Sequence, residues 1–112
     1  MMRTAPPSRC QTSAEVNAAR AGARLTVAGL VTCRQRPATA KNVTFVTLED
    51  ETGTVNVVVW ARIFERFRRA VVAGRCLRIR GRVQREGIVV HLVAEEIEDI
   101  SALLDEIILP MP

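Results

Sequence analysis

A chain of 112 residues, 48% hydrophobic and 25% charged, has room for one hydrophobic core and is too apolar to be disordered. No apolar run nears the roughly 20 residues that cross a bilayer. Residues 1–94 carry 16 bases and six acids, net +10, whereas residues 95–112 carry six acids and no base, and this split directs the body toward a polyanion.

Residues 1–12 contain Pro, Ser and Thr without periodicity and read as a lead-in. Arg3 and Arg9 have no apolar stretch behind them, so no signal peptide is expected and a cytoplasmic location is. Ser13 is placed to cap a short helix through Arg20, built on Ala14, Ala18 and Ala19 and ended by Gly22. From Leu25 the period becomes two. Leu25, Val27, Gly29 and Val31 alternate with Thr26, Ala28, Leu30 and Thr32, a strand with a bulge or bend at Gly29. Arg34 to Asn42 is polar, contains Pro37 and reads as a loop. Val43–Glu49 and Thr54–Trp60 form a hairpin around the turn Asp50-Glu51-Thr52-Gly53.

Ala61 to Val72 turns helical, with Phe64, Phe67 and Val71 on one face and Arg62, Arg66 and Arg69 on another; Gly74 closes the helix. Arg75 to Val83 alternates again, Leu77, Ile79, Gly81 and Val83 inward, Arg78, Arg80 and Arg82 outward. Arg85-Glu86-Gly87 is a tight turn, and Ile88–Ala94 is a fifth strand. Glu96 to Leu109 is expected as an acidic helix with Ile97, Ile100, Leu103 and Leu104 as its apolar stripe. Such a helix either docks on the barrel or lays its acids over the basic surface.

The order β-β-β-α-β-β predicts an all-β protein, the five-stranded Greek-key barrel of the OB-fold, with one helix between strands 3 and 4 and short terminal helices. An SH3-like barrel, the alternative, has no place for a three-turn helix there. The expected division is an extension over 1–24, the barrel over 25–95 and an acidic helix and tail over 96–112.

Groups that could do chemistry are few. Cys10, Cys33 and Cys76 are odd in number and far apart, His91 is the single histidine, and no four-ligand zinc set can be assembled. No Gly-rich phosphate loop is present, and Glu49, Asp50 and Glu51 suit turn chemistry better than a metal site. A binding module without catalytic groups, metal or cofactor is therefore expected. An OB barrel binds along its second and third strands, flanked by the 1–2 and 4–5 loops. Here the first loop supplies Arg34, Arg36 and Lys41 and the second Arg85, with Arg82 just before it. Directing Val46, Leu48, Val55, Val57 and Val59 to the core sends Phe45, Thr47 and Asn56 outward, a stacking ring beside hydrogen-bonding groups. A one-residue error in that parity would put Phe45 in the core. Trp60 has the outward parity too, and both packing under the helix and base contact remain open for it.

The run Arg34-Gln35-Arg36-Pro37-Ala38-Thr39-Ala40-Lys41, with Phe45 to Gly53, Asn56 to Trp60, Phe64 to Arg69 and Gly81 to Gly87, closely resembles the C-terminal OB domain of bacterial error-prone DNA polymerases, homologues of the DNA polymerase III alpha subunit. Ala61 stands where that family has proline. Phe45 to Asp50 and Gly53 to Val57 also resemble, more loosely, the anticodon-binding domain of class II aminoacyl-tRNA synthetases. That likeness implies a base-stacking role at Phe45 and a hydrogen-bonding role at Asn56. The polymerase's catalytic carboxylates lie in other domains, so the resemblance implies no polymerase activity here. It implies a module that binds single-stranded DNA or RNA and guides template in translesion synthesis. The other reading is an OB domain that docks other proteins of a polymerase complex, favoured by the apolar stripe of the terminal helix.

Overall fold

The computed structural model describes residues 10–37 and 42–102. Its strands are β1 (Arg24–Gln35), β2 (Val43–Asp50), β3 (Gly53–Trp60), β4 (Cys76–Glu86) and β5 (Val89–Asp99), and its helices are α1 (Ser13–Ala18), α2 (Ala61–Arg66) and α3 (Arg68–Ala73). The strands close into a barrel in the order β1-β2-β3-β5-β4, the order expected of an OB barrel. Every pairing is antiparallel except the seam between β3 and β5, which joins Asn56–Val58 to His91–Val93 in parallel. No helix among the described residues is long and apolar enough to cross a membrane.

Period-two patterning fills the barrel. Val46, Leu48, Val55, Val57, Val59, Leu77, Ile79, Val83 and Leu92 are all buried, each fully buried side chain being worth roughly 1.5–3 kcal/mol of removal from water. Closure needs backbones to approach closely where strands bend. A Cβ at Gly29 would lie 2.7 Å from the Glu49 carbonyl oxygen, and one at Gly81 would overlap the Val93 carbonyl oxygen. Gly81 sits at a bulge between Arg80 and Gly81, whereas β1 shifts register two residues past Gly29, between Val31 and Cys33.

The expected single helix over 61–72 is two. The chain turns at Phe67 (φ −119°, ψ 32°), yet Phe64 and Val71 remain buried beneath the barrel, so the apolar face holds. Ala61 donates its N–H to the Asn42 carbonyl at 2.7 Å, a bond that a proline at this position could not make.

Several element boundaries differ from the sequence reading, and β4 runs on to Glu86, so Arg85 and Glu86 are strand where a tight turn was expected. Thr12, not Ser13, caps α1: its Oγ1 accepts from Glu15 N–H at 3.1 Å, while Glu15 Oε1 accepts from Thr12 N–H at 2.8 Å. Ser13 instead donates its N–H to Asp50 Oδ2 at 2.7 Å, and the helix stops at Ala18, before Arg20 and Gly22. Strand β1 runs on to Gln35, so Arg34 lies in a strand and not in the loop. Strand β5 continues to Asp99, so Glu96–Asp99 are strand where a helix was expected. The cause is a pattern that fits both periods: Ile97 pairs with Ile79 and is buried in the barrel, while the flanking acids face β4 arginines. Ser101 and Ala102 are helical, as expected, and Leu103, Leu104, Asp105 and Glu106, with the remainder of the expected acidic helix, lie outside the described residues.

Candidate nucleic-acid interface

Register settles which face each side chain shares. Thr47 is opposite Asn56, Asn56 is opposite His91, and His91 is opposite Gln84, which makes one cross-strand row over β2, β3, β5 and β4. The next row is Phe45, Val58, Val93 and Arg82. Because Val46, Leu48, Val55 and Val57 are buried on the opposite face, both rows lie on the outside of the barrel. The outward parity expected for Phe45, Thr47 and Asn56 is what the strands show.

Phe45 is half-buried. Its ring lies 6.3 Å from that of His91 at an interplanar angle of 45°, a tilted aromatic pair that leaves ring surface toward solvent. Thr47 Oγ1 donates to Asn56 Oδ1 over a long 3.4 Å, which leaves the exposed amide able to serve a ligand. Arg82 is exposed beside Val93 and forms no ion pair among the described residues. Two aromatic rings, an amide, a hydroxyl and a cation thus share one surface.

The other expected cations are engaged elsewhere. Arg34 is opposite Val46, so its side chain runs toward the barrel end, where Nε donates to the Val71 carbonyl at 2.6 Å and Nη2 to the Gly74 carbonyl; it caps the C-terminus of α3. Arg36 lies 4.9 Å over the Phe64 ring. Arg85 donates to the carbonyls of Asn17 and Ala19 at 2.9 and 2.8 Å and so caps α1. Lys41 lies outside the described residues.

His91 belongs to this face although the sequence alone points to no binding role for it. Its parity, counted from the buried Val90 and Leu92, would have placed it outward, since those two bracket a residue of opposite orientation. Trp60, left open, is 51% exposed.

Electrostatics divides the molecule. Arg78 donates from Nε to Glu98 Oε1 at 2.9 Å, Arg80 pairs with Glu96 at 3.3 Å and Arg24 with Glu95 at 3.6 Å. Hydrogen bonding to Glu98 raises Arg78 further above its ordinary value. The acids at 95–98 therefore neutralise β1 and β4 arginines through fixed cross-strand pairs. At the other end, burial works to raise the Asp50 carboxyl, but hydrogen bonds from Thr52 and Ser13 together outweigh it and hold the group below the usual carboxylate range.

The family of OB-fold nucleic acid binding domains matches residues 25–100. The chain belongs to that family. This OB domain is 60% identical over 88 residues to an error-prone DNA polymerase of Ruegeria pomeroyi, a stretch that is 79% of this chain and 8% of the polymerase. It is 52% identical over 99 residues to error-prone DNA polymerase 2 of Rhizobium meliloti, 88% of this chain and 9% of that protein. The OB domain thus spans about a tenth of the length of these relatives. Among solved structures, asparaginyl-tRNA synthetase from Pyrococcus horikoshii superposes with a TM-score of 0.68 at 26% identity, over 81% of this chain and 23% of the synthetase. An OBody bound to hen egg-white lysozyme shares the fold, with a TM-score of 0.65 at 22% identity over 84% of this chain and 93% of its own.

Proposed function

We propose that this OB domain binds single-stranded nucleic acid across the outer face of β2, β3 and β5, and that it guides DNA template for an error-prone polymerase of the kind its relatives are. The observation that carries the reading is the Phe45–His91 ring pair, set in register beside Asn56, Thr47 and Arg82. Single-strand binding needs flat side chains for bases and cations for the backbone, and this face offers both. The likeness to polymerases supports DNA as the ligand. The role is one of holding a strand, not of catalysis. The binding residues are Phe45, Thr47, Asn56, His91 and Arg82, with Arg34, Arg36 and Arg85 holding helices in place. The protein-docking reading loses one of its grounds, because Ile97, the first residue of the expected apolar stripe, is a barrel core residue.

A salt-dependent titration with single- and double-stranded oligonucleotides tests this. Contact with about one or two phosphates gives a log–log slope of roughly −0.7 to −1.4 for a single strand. Single strands should bind more tightly than duplexes of the same sequence. A flat salt response, or preference for duplex, would overturn the proposal.

A further inference from the structure

Trp60 is a large aromatic side chain left 51% exposed at the end of β3, on the same outer face as Phe45. It stands between two surface concavities and lines both. One holds Arg82, Gln84 and Val93, the other Asn42, Arg62 and Val93. Arg62 and Arg82 form no ion pair among the described residues, whereas Glu95, which lines both concavities, is paired with Arg24. The surroundings of the ring thus carry uncompensated positive charge. Trp60 lies one strand over and two residues along from Phe45, whose β3 partner is Val58. From strand spacing and rise that offset is about 8 Å, a step that consecutive unstacked nucleotides of a single strand can bridge.

We propose that Trp60 is a second base-stacking station, with Arg62 and Arg82 holding the flanking phosphates, so that the strand runs from Phe45 toward the start of α2 and two nucleotides are seated in succession. The inference rests on the single-strand binding proposed above and adds its extent and direction. An exposed indole flanked by cations is the pairing that single-strand sites use, because every base offers a flat face to stack upon it.

Trp60 is the only tryptophan in the chain, so its own emission reports on the site. Short oligodeoxythymidylates are titrated at low salt, with affinity read independently from the anisotropy of an end label. Binding should quench Trp60 emission and protect it from acrylamide. Trp60→Ala should weaken binding roughly five- to 150-fold, Trp60→Phe should stay within a few-fold of the parent, and Val72→Ala, which trims an exposed apolar side chain on α3, should change nothing. Should Trp60→Ala fail to fold by circular dichroism, the emission of the unaltered chain and the Trp60→Phe variant decide. Oligonucleotide binding that depends on Phe45 but leaves Trp60 emission and acrylamide access unchanged would overturn this inference and spare the proposed function. Absence of any binding at low salt would overturn both.

Discussion

The two halves of β5 present opposite chemistry to the same neighbour. From Val89 to Val93 the strand carries His91 and Val93 outward, and Arg82 of β4, opposite Val93, stays uncompensated. Beyond Ala94 it carries Glu96 and Glu98 outward, and these pair with Arg80 and Arg78 of β4. The change comes at the bulge where Gly81 faces Ala94. Three arginines at alternate positions of one strand look equivalent in sequence, but the residue across the ladder decides which can meet a ligand. A count of bases therefore overstates the binding surface.

The largest effect should come from the joint between the halves. Gly81→Ala forces a Cβ into the Val93 carbonyl, where only backbone movement makes room. It should cost about 1–3 kcal/mol or more in denaturant unfolding and disturb both halves. Unchanged stability would mean that the bulge is not what divides them.

Next in size, Phe45→Ala should cost about 1–3 kcal/mol of single-strand binding, with the folding transition lowered only modestly because the half-buried ring sits on the outer face and outside the barrel core. A large loss of stability with little loss of binding would reverse the assignment of that face.

The comparison itself is tested by a matched pair. Arg82→Ala should weaken binding and make the salt slope shallower by about 0.7. Arg80→Ala should leave the slope where it was, and stability should shift by a few tenths of a kcal/mol, since its partner is an exposed surface pair. Equal slopes for the two variants would show that the Glu96 pairing does not withdraw Arg80 from a ligand.

The smallest effect is on the acid side. Asp50 is held below the ordinary carboxylate range by the hydrogen bonds described above, and Asp99 by hydrogen bonds from the Ser101 hydroxyl and N–H, aided by Arg75. A depressed folded value means that the stabilisation is present above the unfolded value and is lost as pH falls through the folded one. Unfolding midpoints should thus decline below about pH 4. Asp50→Asn should flatten part of that decline. An identical acid profile in the variant would remove Asp50 from the account.

The barrel was legible because alternation and turn chemistry agree over β2, β3 and β4, so Phe45, Thr47 and Asn56 fell on the correct face. Two things were not legible. Arg34 and Arg85 look like loop cations, yet each is matched to helix carbonyls about 40 or more positions away, a pairing that only the closed fold creates. The stretch Glu95-Glu96-Ile97-Glu98-Asp99 fits a helix stripe as well as a strand, and the choice falls to strand because β4 offers Ile79 to Ile97 and arginines to the acids.

Helix α1 lies before residue 25, where the family match begins, yet Val16 is fully buried in the barrel core and the helix is tied at one end to Asp50 and at the other to Arg85. A chain trimmed to residues 25–100 would expose the apolar floor that Val16 covers, and a dye that brightens on apolar surface should report it, an unaltered signal arguing otherwise. The β2–β3 turn and the base of the β4–β5 turn would also lose a common anchor. The six-residue helix is in that sense a strap under the barrel, and the strand face above is braced in part by a segment that packs beneath it, with Asn17 donating to the Thr54 carbonyl of β3.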